Sequence, residues 1–270
     1  MNIFLEEQGL RDGLQTLPTL VPLEIKVAWV HRLIEAGLKR IQVASFVHPR
    51  LVPQMADAEA LFAQLGRRSD VVLSALVLNQ KGVVRAIDAG VQHLAISLSA
   101  SETHSLKNTR MTLAAAKVDF RENLRLAQQH HITVRAGIQC AFGCRYEGQI
   151  DPQHVLDLVK HHADAGANEI ALADSTGMAN PRQLKTLMEQ VLDVAGDLPV
   201  SLHLHNTENK GLANVYAGLE AGVRQFDTAF GGLGGCPFIK NATGNIATED
   251  TVHLLHQMGY RSEERRVGKE

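Results

Sequence analysis

Along the 270-residue chain, short β-type runs alternate with amphipathic stretches of helical period. Four of those stretches close on Ala-Gly, at Ala36-Gly37, Ala89-Gly90, Ala165-Gly166 and Ala221-Gly222. Each is followed within a few residues by a strand-like run, at residues 40–44, 93–97, 169–173 and 224–228. Glycine accepts the left-handed turn that stops a helix, so a glycine stop followed by an apolar run marks an αβ connection. Weaker runs at 71–77, 133–138 and 200–205, together with 2–6, bring the strands to eight. Pro22 opens a helix over 23–36 with Val27, Val30, Leu33 and Ile34 on one face, and 248–258 reads as the last helix. Asp151-Pro152 and Asn180-Pro181 pair an N-cap with a first-turn proline. Eight alternating units predict an α/β fold of one domain, a (β/α)8 TIM barrel with its active site at the C-terminal ends of the strands. A doubly wound sheet shares the alternation, but no Gly-x-Gly-x-x-Gly follows the first run.

Two stretches nearly two hundred residues apart carry candidate chemistry: Arg11-Asp12-Gly13-Leu14-Gln15 and His203-Leu204-His205. Alternate strand residues share a face, so His203 and His205 project together. With Asp12 as a hard anionic ligand they form the His/carboxylate mixture that suits Mg, Mn, Fe or Zn. The alternative is a chance pairing, one histidine capping a loop and the other packed. In a barrel the segments after the strands share one face, and the distinctive residues fall there: Asp12, Ser45-Phe46, Cys140 to Cys144, Asp174, the His pair, and the run Phe230-Gly231-Gly232-Leu233-Gly234-Gly235-Cys236-Pro237. The glycines 231, 232, 234 and 235 suit either a mobile loop over the site or a tight turn.

A formal charge of −2 without a basic block argues against nucleic acid as main partner. No apolar run approaches the ~18 residues of a membrane span, and no leader pattern follows Met1, so a cytoplasmic protein is expected. Three cysteines without a framework spacing fit reducing conditions. Cys140 and Cys144 read as a metal or redox pair or as small buried hydrophobes. His130-His131 and His161-His162 read as solvated helix positions. Lys107, Arg110 and Lys240 are candidates for phosphate contact or plain solvated cations.

Arg-Asp-Gly-Leu-Gln at 11–15, Ala44-Ser45-Phe46-Val47-His48-Pro49, Cys140-Ala141-Phe142-Gly143-Cys144 with Tyr146-Glu147-Gly148, His-Leu-His, the Gly-Gly-Leu-Gly-Gly-Cys-Pro loop and Gly244-Asn245 resemble the 3-hydroxy-3-methylglutaryl-CoA lyase family. The resemblance implies a divalent metal, Mg or Mn, on Asp12, His203, His205 and Asn245, and no organic cofactor beyond the CoA thioester. It implies retro-aldol cleavage of an acyl-CoA to acetyl-CoA and a keto acid, with His203 also as base, Cys236 as acid and Arg11 opposite the developing enolate. Asp174 is carried over as a catalytic position, Gln15, Ser45 and Gln42 as substrate contacts, and Glu7 and Glu249 as residues that orient them. A homodimer is a further expectation.

Three departures qualify the likeness. Gln42 stands where the family generally has glutamate, which removes an anion beside the metal. His205-Asn206-Thr207-Glu208-Asn209 replaces the common His-Asp-Thr-Tyr-Gly. The catalytic domain is expected over 1–260, and 261–270, Arg-Ser-Glu-Glu-Arg-Arg-Val-Gly-Lys-Glu, looks like one reading frame of a sequencing adapter that displaces further C-terminal helices. The alternatives are a lyase for a related substrate such as citramalyl-CoA, and a barrel that binds metal or acyl-CoA without turnover.

Overall fold

The computed structural model describes residues 2–235 and 244–262. Its strands are β1 Asn2–Glu7, β2 Arg40–Ser45, β3 Val72–Val77, β4 His93–Ser99, β5 Thr133–Gln139, β6 Glu169–Asp174, β7 Val200–Leu204 and β8 Gln225–Thr228, each within two residues of the run expected for it. Neighbours pair in parallel from β2 round to β8, β8 pairs β1, and β1 pairs β2 through Glu6 and Glu7, which closes a single-domain (β/α)8 barrel. A two-residue strand, β9 Arg261–Ser262, pairs with Asn2 and Ile3 at the other end of β1.

The helices between strands are α1 Leu23–Glu35, α2 Ala58–Leu65, α3 Gln80–Asp88, α4 Glu102–Asn108, α5 Leu113–Gln129, α6 Pro152–Asp164, α7 Pro181–Ala195, α8 Gly211–Ala221 and, after β8, α9 Thr248–Gln257. The Ala-Gly stops act as expected: Gly37 and Gly222 have φ of 100° and 107°, where a Cβ would be strained. Asp151 and Asn180 accept from the backbone N–H of Gln153 and Gln183, which satisfies donors the first helical turn leaves open. The short α4 is an extra helix inside the β4–α5 connection, and the strand rhythm gave no sign of it.

The apolar core lies between barrel and helices. Leu94, Val134, Ile170, Leu202 and Phe226 are fully buried there, each contributing ~1.5–3 kcal/mol by leaving water. The barrel interior is different, because its strands turn Glu6, Arg40, His93, Arg135, Glu169 and Asp227 inward. Two histidine readings need correction. His130 caps α5 and His131 has φ 57°, so neither is helical, although both are exposed. His162 is fully buried against the Phe120 ring, 4.2 Å between centroids, and burial with the neighbouring His161 pushes its pKa down to about 3. The helical stripe of α6 rolls that position onto the barrel.

Candidate active site

Beyond β1 the chain enters a wide π-type turn, Gly9–Gly13, that carries Arg11 and Asp12. A Cβ at Gly9 would lie 2.3 Å from the Phe230 ring and 2.8 Å from Glu7 Oε1, so no larger residue fits. Arg11 is buried and its planar fork is fully aimed: Nε donates to Gln42 Oε1 (2.6 Å), Nη1 to Asp12 Oδ1 (2.5 Å) and Nη2 to Gln8 Oε1 (2.8 Å). Gln15 Nε2 adds a bond to Asp12 Oδ1 at 3.0 Å. Gln42 reaches this point by alternation with the inward Arg40, and a bulge between Gln42 and Ala44 then shifts the parity of β2 so that Ser45 faces the same cavity.

From β7, His203 and the residue just past its end, His205, project to one face as their spacing predicts. Their Nε2 atoms are 3.2 Å apart, and His205 Nε2 is 3.7 Å from Asp12 Oδ2. Ligand atoms of Asp12, His203 and His205 all lie within 4.8 Å of one another. Each ring is fixed from behind by a group that only accepts: Asp227 Oδ2 at 3.1 Å from His203 Nδ1, and the Ser175 carbonyl at 3.0 Å from His205 Nδ1. Both Nδ1 atoms are therefore donors, and neutral rings turn two lone pairs toward each other beside a carboxylate. Such a set calls for a cation between its members. Asn245 donates from Nδ2 to Asp12 Oδ2 at 2.8 Å, while its buried Oδ1 has no hydrogen-bond partner among the described residues. The donor set fits a divalent ion.

Electrostatics agrees. Burial opposes ionisation of Asp12, but the Arg11 guanidinium and the two histidines outweigh it and hold the carboxyl well below its usual range. Burial lowers the pKa of His203 against the pull of Asp227 and Asp12. For His205 burial acts the same way, yet Asp12, Asp174 and the Ser175 carbonyl win and raise it.

The cluster forms the floor of a cavity of about 560 Å³ that Gln42, Ser45, Lys107 and Arg110 also line. Asp174 does not line it: Ala173 and Ser175 do, and strand alternation turns Asp174 to the far side, where it accepts the Ala179 N–H at 3.2 Å. There burial raises its pKa to about 6. Glu7 and Glu249 touch neither cavity nor cluster. Glu7 accepts from Gly9 N (2.6 Å), Phe230 N (3.0 Å) and Thr248 Oγ1 (2.6 Å), and Glu249 from Gly231 N (3.0 Å), so both tie down the glycine loop. Gly234 has φ 107°, and a Cβ on it would fall 2.4 Å from Asn245 Nδ2 and 2.9 Å from Asp12 Oδ2, so the loop is seated directly on the cluster. Cys140 and Cys144 are buried, and Cys144 Sγ accepts the Ser101 hydroxyl at 3.0 Å. Cys236 and Lys240 lie outside the described residues.

Sequence reading missed Asp227 and Arg135. Arg135 Nη1 and Nη2 clasp Asp227 Oδ1 and Oδ2 at 2.8 and 2.9 Å, across the barrel from β5 to β8. A signal existed, since a charge inside an apolar strand must find a partner once buried.

The HMGL-like family model matches residues 2–265. The (R)-citramalyl-CoA lyase of Chloroflexus aurantiacus is 40% identical over 259 residues, covering 92% of this chain and 82% of its own. The hydroxymethylglutaryl-CoA lyase of Bacillus subtilis is 36% identical over 260 residues, covering 96% and 87%. Among solved structures, an HMG-CoA lyase from Acinetobacter baumannii in complex with coenzyme A and 3-methylmalate superimposes with a TM-score of 0.93 at 40% identity, over 97% of this chain and 86% of that one. A closed barrel with this cluster at its mouth, and a likeness that runs nearly end to end, place the chain in the HMGL-like family as an oxo-acid lyase.

Proposed function

We propose that this protein is a divalent-metal-dependent lyase that cleaves 3-hydroxy-3-methylglutaryl-CoA to acetyl-CoA and acetoacetate by a retro-aldol, retro-Claisen-type reaction. The observation that carries this reading is the convergence of Asp12, His203 and His205 beside Arg11 on one cavity floor. A divalent ion, Mg or Mn, held by those three ligands and Asn245 would supply Lewis acidity at the substrate's tertiary hydroxyl and lower its pKa.

The electron count then sets what each residue must do. As the hydroxyl proton leaves, the O–H pair becomes the carbonyl of acetoacetate. The breaking carbon–carbon pair passes to the acetyl-CoA fragment as an enolate, which takes one proton. Arg11 uses three of its five N–H groups on Gln42, Asp12 and Gln8, so two are left for the enolate oxygen. Gln15, Ser45 and Gln42 frame the acyl end. Asp174 acts from behind the wall, by its charge on His205. Cys236 is the acid by family resemblance. His203 cannot be ligand and base at once: Nδ1 is committed to Asp227, and a single lone pair on Nε2 serves one role. Its place in the cluster favours the ligand role.

A second reading, citramalyl-CoA as substrate, draws on the 40% relative and on Gln42. Citramalyl-CoA carries its carboxylate on the hydroxyl carbon itself. An amide at 42 leaves Arg11 paired with one carboxylate, Asp12, rather than two, and so more attractive to that near anion. The test is acetyl-CoA release by metal-stripped protein, with and without Mn or Mg, beside Cys236→Ala and a citramalyl-CoA arm. Metal-dependent release from 3-hydroxy-3-methylglutaryl-CoA, weakened in the variant, is expected. Release from citramalyl-CoA alone selects the second reading, and folded, metal-binding protein that turns over neither substrate refutes both.

A further inference from the structure

We infer that Asp227 is the positioning residue that sets the metal affinity of the cluster, by holding His203 in the one tautomer and orientation that turns Nε2 toward Asp12 and His205. The inference rests on the proposed metal dependence.

Asp227 is 2% exposed, and both of its oxygens are occupied: Oδ1 by Arg135 Nη1, Oδ2 by Arg135 Nη2 and by His203 Nδ1. It lines the cavity floor without a free oxygen for a substrate, so it acts through His203. The bidentate guanidinium keeps it ionised and therefore an acceptor only, which compels His203 Nδ1 to carry the proton and Nε2 the lone pair. A carboxylate behind a ligating imidazole both fixes the ring and raises its basicity as a ligand.

The two histidines differ in how they are held. His205 leans on a main-chain carbonyl, Ser175 O, which no side-chain substitution removes. His203 depends on one side chain. Behind that side chain stands a buried column of alternating charge: Arg135 also reaches Glu6 Oε2 at 3.1 Å, Glu6 Oε2 accepts Arg40 Nε at 3.2 Å, and Arg40 Nη2 donates to Glu169 Oε2 at 2.6 Å. Buried ion pairs gain little over apolar packing of the same volume, so stability alone is a weak reason for this column. Its upper end supplies a better one, because there it delivers a fixed carboxylate to the back of a ligand ring.

Two measurements on the full chain test this. In ¹⁵N-histidine NMR of metal-free protein, with the His203 signals assigned through His203→Gln, His203 is expected as the Nδ1-protonated neutral tautomer. A neutral ring protonated on Nε2 overturns the inference without recourse to any Asp227 variant. In Mn²⁺ titrations followed by EPR, Asp227→Asn is expected to bind about 10–100-fold more weakly than wild type. Glu6→Gln, which disturbs the same column without touching His203, should stay within about twofold while losing thermal stability. Equal affinity in Asp227→Asn and wild type, or an equal loss in Glu6→Gln, overturns the role. Wild-type protein that binds no Mn²⁺ overturns the metal reading itself, an outcome distinct from a loss confined to Asp227→Asn.

Discussion

Replacing Arg11 by lysine keeps the positive charge beside Asp12 and removes the fork. In the wild-type structure three nitrogens of one plane reach Gln42, Asp12 and Gln8 at 2.5–2.8 Å. A single ammonium can retain the ion pair with Asp12 but cannot also reach both glutamine oxygens in that plane. Each buried acceptor left without a donor costs about 1–3 kcal/mol, with re-orientation of the amides offsetting part of it. A stability loss of about 2–4 kcal/mol follows, read as a lower urea midpoint. The reaction loses more. The two N–H groups that Arg11 has left over are lost or no longer fixed, and one preorganised donor is worth about 2.7–4 kcal/mol of barrier, or about 10²–10³ in kcat. Mn²⁺ affinity should stay within about threefold, because the charge that keeps Asp12 ionised is still present. The assay is acetyl-CoA release at saturating Mn²⁺ with kcat and KM resolved, beside an EPR titration of Mn²⁺. A kcat within about threefold of wild type would refute the argument that geometry, beyond charge, matters at position 11. A loss of Mn²⁺ affinity that parallels the loss in kcat would place the effect on Asp12 instead.

Glu7 is the clearest source of pH dependence: burial, opposed by its Thr248, Gly9 and Phe230 bonds, raises its pKa from 4.5 to about 7. The folded protein holds that proton where the unfolded chain has released it, so this stabilisation is full below pH 4.5 and is lost as pH rises to about 7. The change amounts to about 3 kcal/mol, and Glu7→Gln should flatten Tm across this window; an unchanged Tm–pH slope in the variant would rule out Glu7 as its source. At Gly234 an alanine must displace Asn245 or Asp12, whereas at Gly231, φ 60°, nothing lies within 4 Å of a new Cβ. Gly234→Ala should therefore lose at least tenfold in Mn²⁺ affinity while Gly231→Ala loses about 1 kcal/mol of stability and binds normally; similar Mn²⁺ binding in the two would show that the loop is not seated as described. Arg135→Met removes the guanidinium shared by Asp227 and Glu6, leaving Asp227 with His203 and Glu6 with Arg40, and should cost about 3–5 kcal/mol in urea denaturation, with an unchanged midpoint as the contrary result.

Some of this architecture is local in origin and so legible in one dimension. The period-2 run around His203 already puts His203 and His205 on one face, and the glycine stops at Gly37 and Gly222 already demand a left-handed residue. The same local logic located Asp12 after the first strand, whereas Asn245 came from the family resemblance alone. Where the reading failed, side-chain direction was the unknown. Asp174 sits at the end of a strand, as expected, but the parity of β6 sends it away from the cavity. His162 occupies a helix position that the docking angle of α6 turns inward.

The polar interior of the barrel is the larger lesson. Asp227 and Arg135 are 92 residues apart, on strands that never pair, and they meet only because eight strands close on a shared axis. Sequence periodicity determined which residues form the strands and most of the helices, in what order, and which strand ends carry the candidate ligands, since those features depend on neighbours within a turn or a pleat. Closure of the barrel decided which buried charges face one another, and hence how His203 is held, because contacts across an enclosed axis follow from the tilt and register of all eight strands together.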